Sequence, residues 1–115
     1  MIRAIIVDDE QHCIDHLTRL LKKHSDEIEL TGHFLNVNDG IKAIKSLQPD
    51  LIFLDVQIHD ETGFDLLGRI KEKKFEVVFT TAFDRFAVQA FKFSALDYLL
   101  KPVDPEDLSA TIKKI

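Results

Sequence analysis

Asp8, Asp9, Asp55, Thr80, Thr81 and Lys101 are the residues whose types and positions could do chemistry, because each closes or follows a short apolar run. In open parallel sheets the functional crevice lies beyond the carboxyl ends of the strands. Three carboxylates brought to one such edge repel one another unless a cation compensates them, and their oxygens select a hard divalent ion, Mg²⁺ or Mn²⁺. With that charge balanced, Asp55 is a carboxylate nucleophile for an electrophilic phosphorus, while Lys101 and a threonine hydroxyl hold the phosphoryl oxygens. Taken singly the signals are weak, since strand-end carboxylates often cap helices and Lys101-Pro102 can be a simple turn. Their joint occurrence at four strand ends is what capping does not explain. A cis bond is cheap only before proline, so one is expected at Lys101-Pro102, aiming the ammonium inward.

The elements that must position these groups follow from periodicity. Apolar runs at Ile2 to Val7, Leu51 to Leu54, Val77 to Phe79 and Leu96 to Leu100 read as buried parallel strands, and the alternation between Glu29 and Leu35 reads as an edge strand. Between them, helical spacing links Ile14, Leu17, Leu20 and Leu21; Ile41, Ile44 and Leu47; Phe64, Leu67 and Ile70; and Phe86, Ala90 and Phe91. Asp104 as cap, Pro105 in the first position and the acids Glu106 and Asp107 mark the start of a last helix, with Leu108 and Ile112 turned inward. Strict strand-helix alternation predicts an α/β domain with right-handed crossovers, spanning residues 1–115 as one unit.

Composition narrows the function classes. Acidic residues outnumber basic ones 20 to 15, for a formal charge of -5, without a basic stripe to track a nucleic-acid backbone. Charges interrupt every apolar stretch before it could span a bilayer, so no membrane partner is expected. Cys13 is the only cysteine, which excludes an intrachain disulfide and fits a reducing cytoplasm; by the same count no clustered Cys/His metal site is expected. His12 and His16 lie four apart on one helix, and sequence supplies no third ligand beside them. Four scattered glycines offer no phosphate cradle for a nucleotide or flavin.

The motifs Val7-Asp8-Asp9-Glu10, Leu54-Asp55, Thr81-Ala82 and Lys101-Pro102 resemble the receiver domain of two-component response regulators, over essentially the whole chain. That resemblance implies a flavodoxin-like (βα)5 fold, a doubly wound sheet of five parallel strands in order 2-1-3-4-5. It also implies phosphorylation of Asp55 by a sensor histidine kinase, with Asp9 a direct Mg²⁺ ligand, Asp8 acting through water, Asp55 the second side-chain ligand and Gln57 contributing its backbone carbonyl. The Gln57 side chain is then expected to face the phosphoryl site. Thr81, directly before Ala82, matches the switch hydroxyl in preference to Thr80, and Tyr98 matches the aromatic that swings inward with it. The stretches Thr80-Thr81-Ala82-Phe83-Asp84 and Ala95-Leu96-Asp97-Tyr98-Leu99-Leu100-Lys101-Pro102 look like receivers that precede LytTR-type DNA-binding domains. No output domain of that kind falls within these residues, which are read as either an excised receiver of a DNA-binding regulator or a stand-alone regulator, and by the same resemblance the face of the fourth helix, fifth strand and fifth helix is the expected site of homodimerisation or docking.

Such a domain is a signalling phosphoacceptor, catalysing only its own phosphorylation and dephosphorylation. An aspartyl-phosphate phosphatase is the enzymatic rival, but Gln57 stands where that chemistry needs an acid and no segment can form a substrate cap. A phosphorylation-independent interaction module is the second rival. Departures from the family pattern are Ile58-His59, where Met-Pro is common before the loop glycine, here Gly63, and Phe83, an apolar ring expected to overhang the phosphorylated Asp55. His59 is read as a solvated loop histidine, in a loop left more mobile without proline.

Overall fold

The apolar runs form strands because both of their faces are covered, and alternate residues of each strand feed different cores. The computed structural model describes all 115 residues. Five parallel strands, β1 (Ile2–Val7), β2 (Ile28–Phe34), β3 (Leu51–Leu54), β4 (Glu76–Thr81) and β5 (Asp97–Leu100), make one sheet in the order 2-1-3-4-5. Ile5 and Val7 of β1 and Ile52 and Leu54 of β3 enter one cluster of 15 buried residues. Ala4, Ile6, Leu51 and Phe53 enter the other, of 13. Helices α2 (Val37–Leu47), α3 (Gly63–Gly68) and α4 (Ala87–Lys92) cover the first cluster; α1 (Gln11–Leu21) and α5 (Pro105–Lys113) cover the second. The doubly wound architecture and the edge position of β2 are as the sequence predicts.

Local signals set the helix ends. Asp104 accepts a hydrogen bond from Glu106 N at 2.7 Å with Pro105 in the first turn of α5, and Leu108 and Ile112 are buried beneath it, as expected. Thr62 and Asp65 form a reciprocal capping box at the start of α3. Helices α3 and α4 have only six residues each, so Ile70 lies beyond α3 and Phe86 is the cap of α4. No helix is long and apolar enough to cross a membrane.

The loop after β3 departs from expectation. Gln57–Ile58 pairs antiparallel with Glu61–Thr62, closing a small hairpin. His59 takes the left-handed conformation (φ 55°), which proline, fixed near -65°, could not adopt. Its N–H donates to Asp9 Oδ2 at 2.8 Å and its ring Nε2–H to the Leu35 carbonyl at 3.0 Å. Although the side chain is 58% exposed, His59 is tied into the site and is not simply solvated.

Candidate phosphoacceptor site

Strand register brings the chemistry-bearing residues together. Val7 pairs with Leu54 and Leu54 with Phe79, so Asp8, Asp55 and Thr80 stand at one level, and Asp55 N–H donates to Val7 O at 3.0 Å. Thr81 pairs with Leu100, and Lys101 N–H donates to Thr81 O at 2.8 Å, which brings Lys101 to the same edge. The Lys101-Pro102 bond is cis.

Lys101 Nζ lies 2.7 Å from Asp8 Oδ2 and 2.9 Å from Asp55 Oδ2, with Glu10 Oε1 at 3.8 Å. Both aspartates are buried and the lysine is largely covered, its side chain 12% exposed against 3% and 6% for theirs. Burial drives the Asp55 carboxyl up to about 6 despite the hydrogen bond and charge of Lys101, and the Asp8 charge adds to the rise. Burial alone would lower Lys101, but its hydrogen bonds and ion pairs with Asp8 and Asp55 outweigh that and raise it.

The remaining oxygens have few partners. Asp8 Oδ1 accepts from Glu10 N at 2.9 Å, while Asp55 Oδ1 receives only a long 3.3 Å contact from Gln57 N. Oxygens of Asp8, Asp9, Glu10 and Asp55 all lie within 4.8 Å of one another. Four carboxylates against one ammonium leave net negative charge in a hard-oxygen set, which fits a Mg²⁺-class ion.

Thr80 and Thr81 point to opposite faces of β4. Thr81 is on the side of Phe79, whose ring centroid is 6.3 Å from that of Tyr98, whereas Thr80 lines a cavity against α1. Thr81 and Tyr98 therefore lie on the same face of the sheet, and Thr80 on the other. Thr81 Oγ1 accepts from Phe83 N at 3.3 Å, and the Tyr98 hydroxyl donates to the Phe83 carbonyl, holding the tyrosine ring half-buried. Phe83 packs edge-on to Phe86 at 6.0 Å, with the Arg85 guanidinium 4.6 Å from its ring centre.

One reading of the sequence needs correction. The exposed Gln57 side chain is turned to the hairpin and not to Asp55: its amide donates to the His59 carbonyl at 2.9 Å and more weakly to that of Glu61. Beside His12 the structure brings Glu10 and Cys13, whose donor atoms and that of His12 lie within 4.8 Å of one another in a group that does not include His16. Spacing hid this, since Glu10 precedes α1 and its side-chain direction is not helical.

The response regulator receiver domain model matches residues 4–113. The chain belongs to the response regulator receiver family. An uncharacterised response regulatory protein of Vibrio vulnificus is 45% identical to this receiver over all of it, and the sensory transduction protein LytT of Bacillus subtilis 43% identical over 99% of it. The transcriptional regulatory protein BtsR of Escherichia coli is 40% identical. The receiver spans about half of these relatives, 48% of each. Among solved structures, the response regulatory domain of mrkE from Klebsiella pneumoniae superposes with a TM-score of 0.87 at 33% identity, covering 97% of this chain and 93% of that one. The flavodoxin-like fold and the LytT-like character expected from the sequence motifs both stand.

Proposed function

We propose that Asp55 of this receiver accepts a phosphoryl group from a sensor histidine kinase in a Mg²⁺-dependent reaction, and that Thr81 and Tyr98 convey the change to a partner-binding face. The observation that carries this reading is the Lys101 ammonium held between Asp8 and Asp55 at 2.7 and 2.9 Å on the buried edge of the sheet. Asp9, Asp55 and the Gln57 carbonyl would hold the ion directly and Asp8 through water. When bound, it supplies electrostatic stabilisation to the transferring phosphoryl oxygens.

Asp55 Oδ1, the less engaged oxygen, forms the new P–O bond while the donor's P–N bond breaks and its electron pair leaves with the imidazole. Lys101 neutralises charge on the arriving group, and Thr81 Oγ1 exchanges its contact with Phe83 N for a phosphoryl oxygen. Because Phe83 carries both the N–H bound by Thr81 and the carbonyl bound by Tyr98, a shift of this segment moves the tyrosine. A bias of about 1.4 kcal/mol changes the ratio of the two conformers tenfold.

Val88, Phe91 and Leu100 are exposed apolar residues on α4 and β5, which supports homodimerisation or docking across the α4-β5-α5 face. A DNA-binding output domain in the whole protein and a cytoplasmic location complete the reading, with residues 1–115 as one receiver domain. The direct test is incubation with acetyl phosphate and Mg²⁺ followed by intact mass. The receiver should gain one phosphoryl group and Asp55→Asn none; no gain in the parent protein would favour the phosphorylation-independent module.

The lifetime of the phosphorylated state has its own prediction. Phe83 presents an apolar ring two residues after Thr81, and the Gln57 amide that could position a hydrolytic water is engaged in the hairpin. Phosphorylated Phe83→Glu should lose its phosphoryl group faster than the parent, since a carboxylate can orient water where the ring excludes it. Equal or slower decay, followed by mass after donor removal, would refute this role.

A further inference from the structure

Glu10, His12, Cys13 and His16 line one cavity of about 380 Å³ beside the acceptor, and of these only Glu10 also belongs to the carboxylate set around Asp55. A Glu10 oxygen, a His12 ring nitrogen and the Cys13 sulfur lie within 4.8 Å of one another. Glu10 Oε2 and His12 Nε2 are already 3.5 Å apart. In a tetrahedral zinc centre with bonds of about 2.0–2.3 Å, donors stand roughly 3.3–3.8 Å apart, so donors already within 4.8 Å of one another need to approach by only about 1 Å.

The donor types discriminate between metals. Thiolate and imidazole suit a borderline-soft ion, in contrast to the all-oxygen cluster of Asp8, Asp9 and Asp55. We propose that Glu10, His12 and Cys13 form a Zn²⁺ site at the start of α1, sharing only the Glu10 carboxylate with the hard-oxygen set. His16, one turn after His12, faces the same cavity and offers a second imidazole. His12 and Glu10 are exposed, so the ion enters from solvent, and binding releases the Cys13 thiol proton to water as the Zn–S bond forms. The other Glu10 oxygen lies 3.8 Å from Lys101 Nζ, so an ion here competes with the lysine for that carboxylate.

The test is titration of the metal-free chain with Zn²⁺ against a chromophoric chelator in excess Mg²⁺, with Co²⁺ as a spectroscopic probe. A single equivalent should bind, and the Co²⁺ form should show a thiolate charge-transfer band. Cys13→Ser should lose that band, and both it and His12→Gln should weaken Zn²⁺ binding by about tenfold or more, while Asp9→Asn leaves it unchanged. Circular dichroism of each variant checks that α1 remains folded. Absence of binding, undiminished binding by Cys13→Ser, or loss confined to Asp9→Asn would overturn the site, the last assigning the ion to the aspartates.

Discussion

Lys101→Met is expected to destabilise the metal-free receiver by about 3–5 kcal/mol at neutral pH, because it leaves two buried carboxylates without their cation. Asp8 and Asp55 are 3% and 6% exposed in their side chains, and both place an oxygen on the same Nζ. Methionine replaces the stem but not the charge. What remains is the desolvation of both aspartates and their mutual repulsion, the two influences that already hold Asp55 at about 6.

The deficit should depend on pH. Removing Lys101 takes away the hydrogen bond and charge that lower Asp55, so its folded value rises further above the unfolded value of about 3.9. Between those two values the folded state binds more protons than the unfolded state, and stability falls as pH rises. Lys101 itself is raised on folding, so its contribution is fully present below its unfolded value of about 10.4 and is lost only as pH climbs through the folded one. Across pH 5 to 8 the change therefore comes from the carboxylates. Urea denaturation in chelator should give a larger loss at pH 8 than at pH 5, and added Mg²⁺ should restore more stability to the variant than to the parent. An equal loss at both pH values would mean the ammonium does not offset the buried charge.

How much of this site could be read from the chain depends on the kind of constraint involved. Strands β1 and β3 are legible as unbroken apolar runs because both faces are buried, and register then carries Asp8, Asp55 and Lys101 to one edge. Helix α5 is legible because its cap, proline and acids are local signals. Helices α3 and α4, at six residues, are too short for an apolar period to define their ends. The hairpin at Gln57–Ile58 rests on side-chain to backbone bonds and on a positive φ at His59, neither of which follows from residue type. The convergence of Glu10 on His12 and Cys13 is likewise a matter of side-chain direction outside the helix.

Gly63→Ala should cost about 3 kcal/mol and displace Asp55, whereas Gly68→Ala five residues on should be neutral or slightly stabilising. A Cβ at Gly63 would stand 2.5 Å from the Asp55 carbonyl oxygen and 2.9 Å from Leu54 Cγ, and the first of these is backbone that cannot rotate away. Left-handed geometry is not the reason for glycine here, since no glycine has positive φ; close approach of α3 to the end of β3 is. Relief requires the helix start to retreat by roughly 1 Å, an overpacking cost of about 1–3 kcal/mol. It also strains the 2.8 Å bond from Gly63 N to Val56 O and the Thr62–Asp65 capping box, worth about 1 kcal/mol each. Gly68 has no atom within 4 Å of its Cβ position and is exposed in the last turn of α3, where alanine gains helix propensity of up to about 1 kcal/mol. Denaturation of the two variants separates space from flexibility: comparable effects at both positions would show that α3 tolerates displacement, and that Asp55 does not depend on the close approach at Gly63.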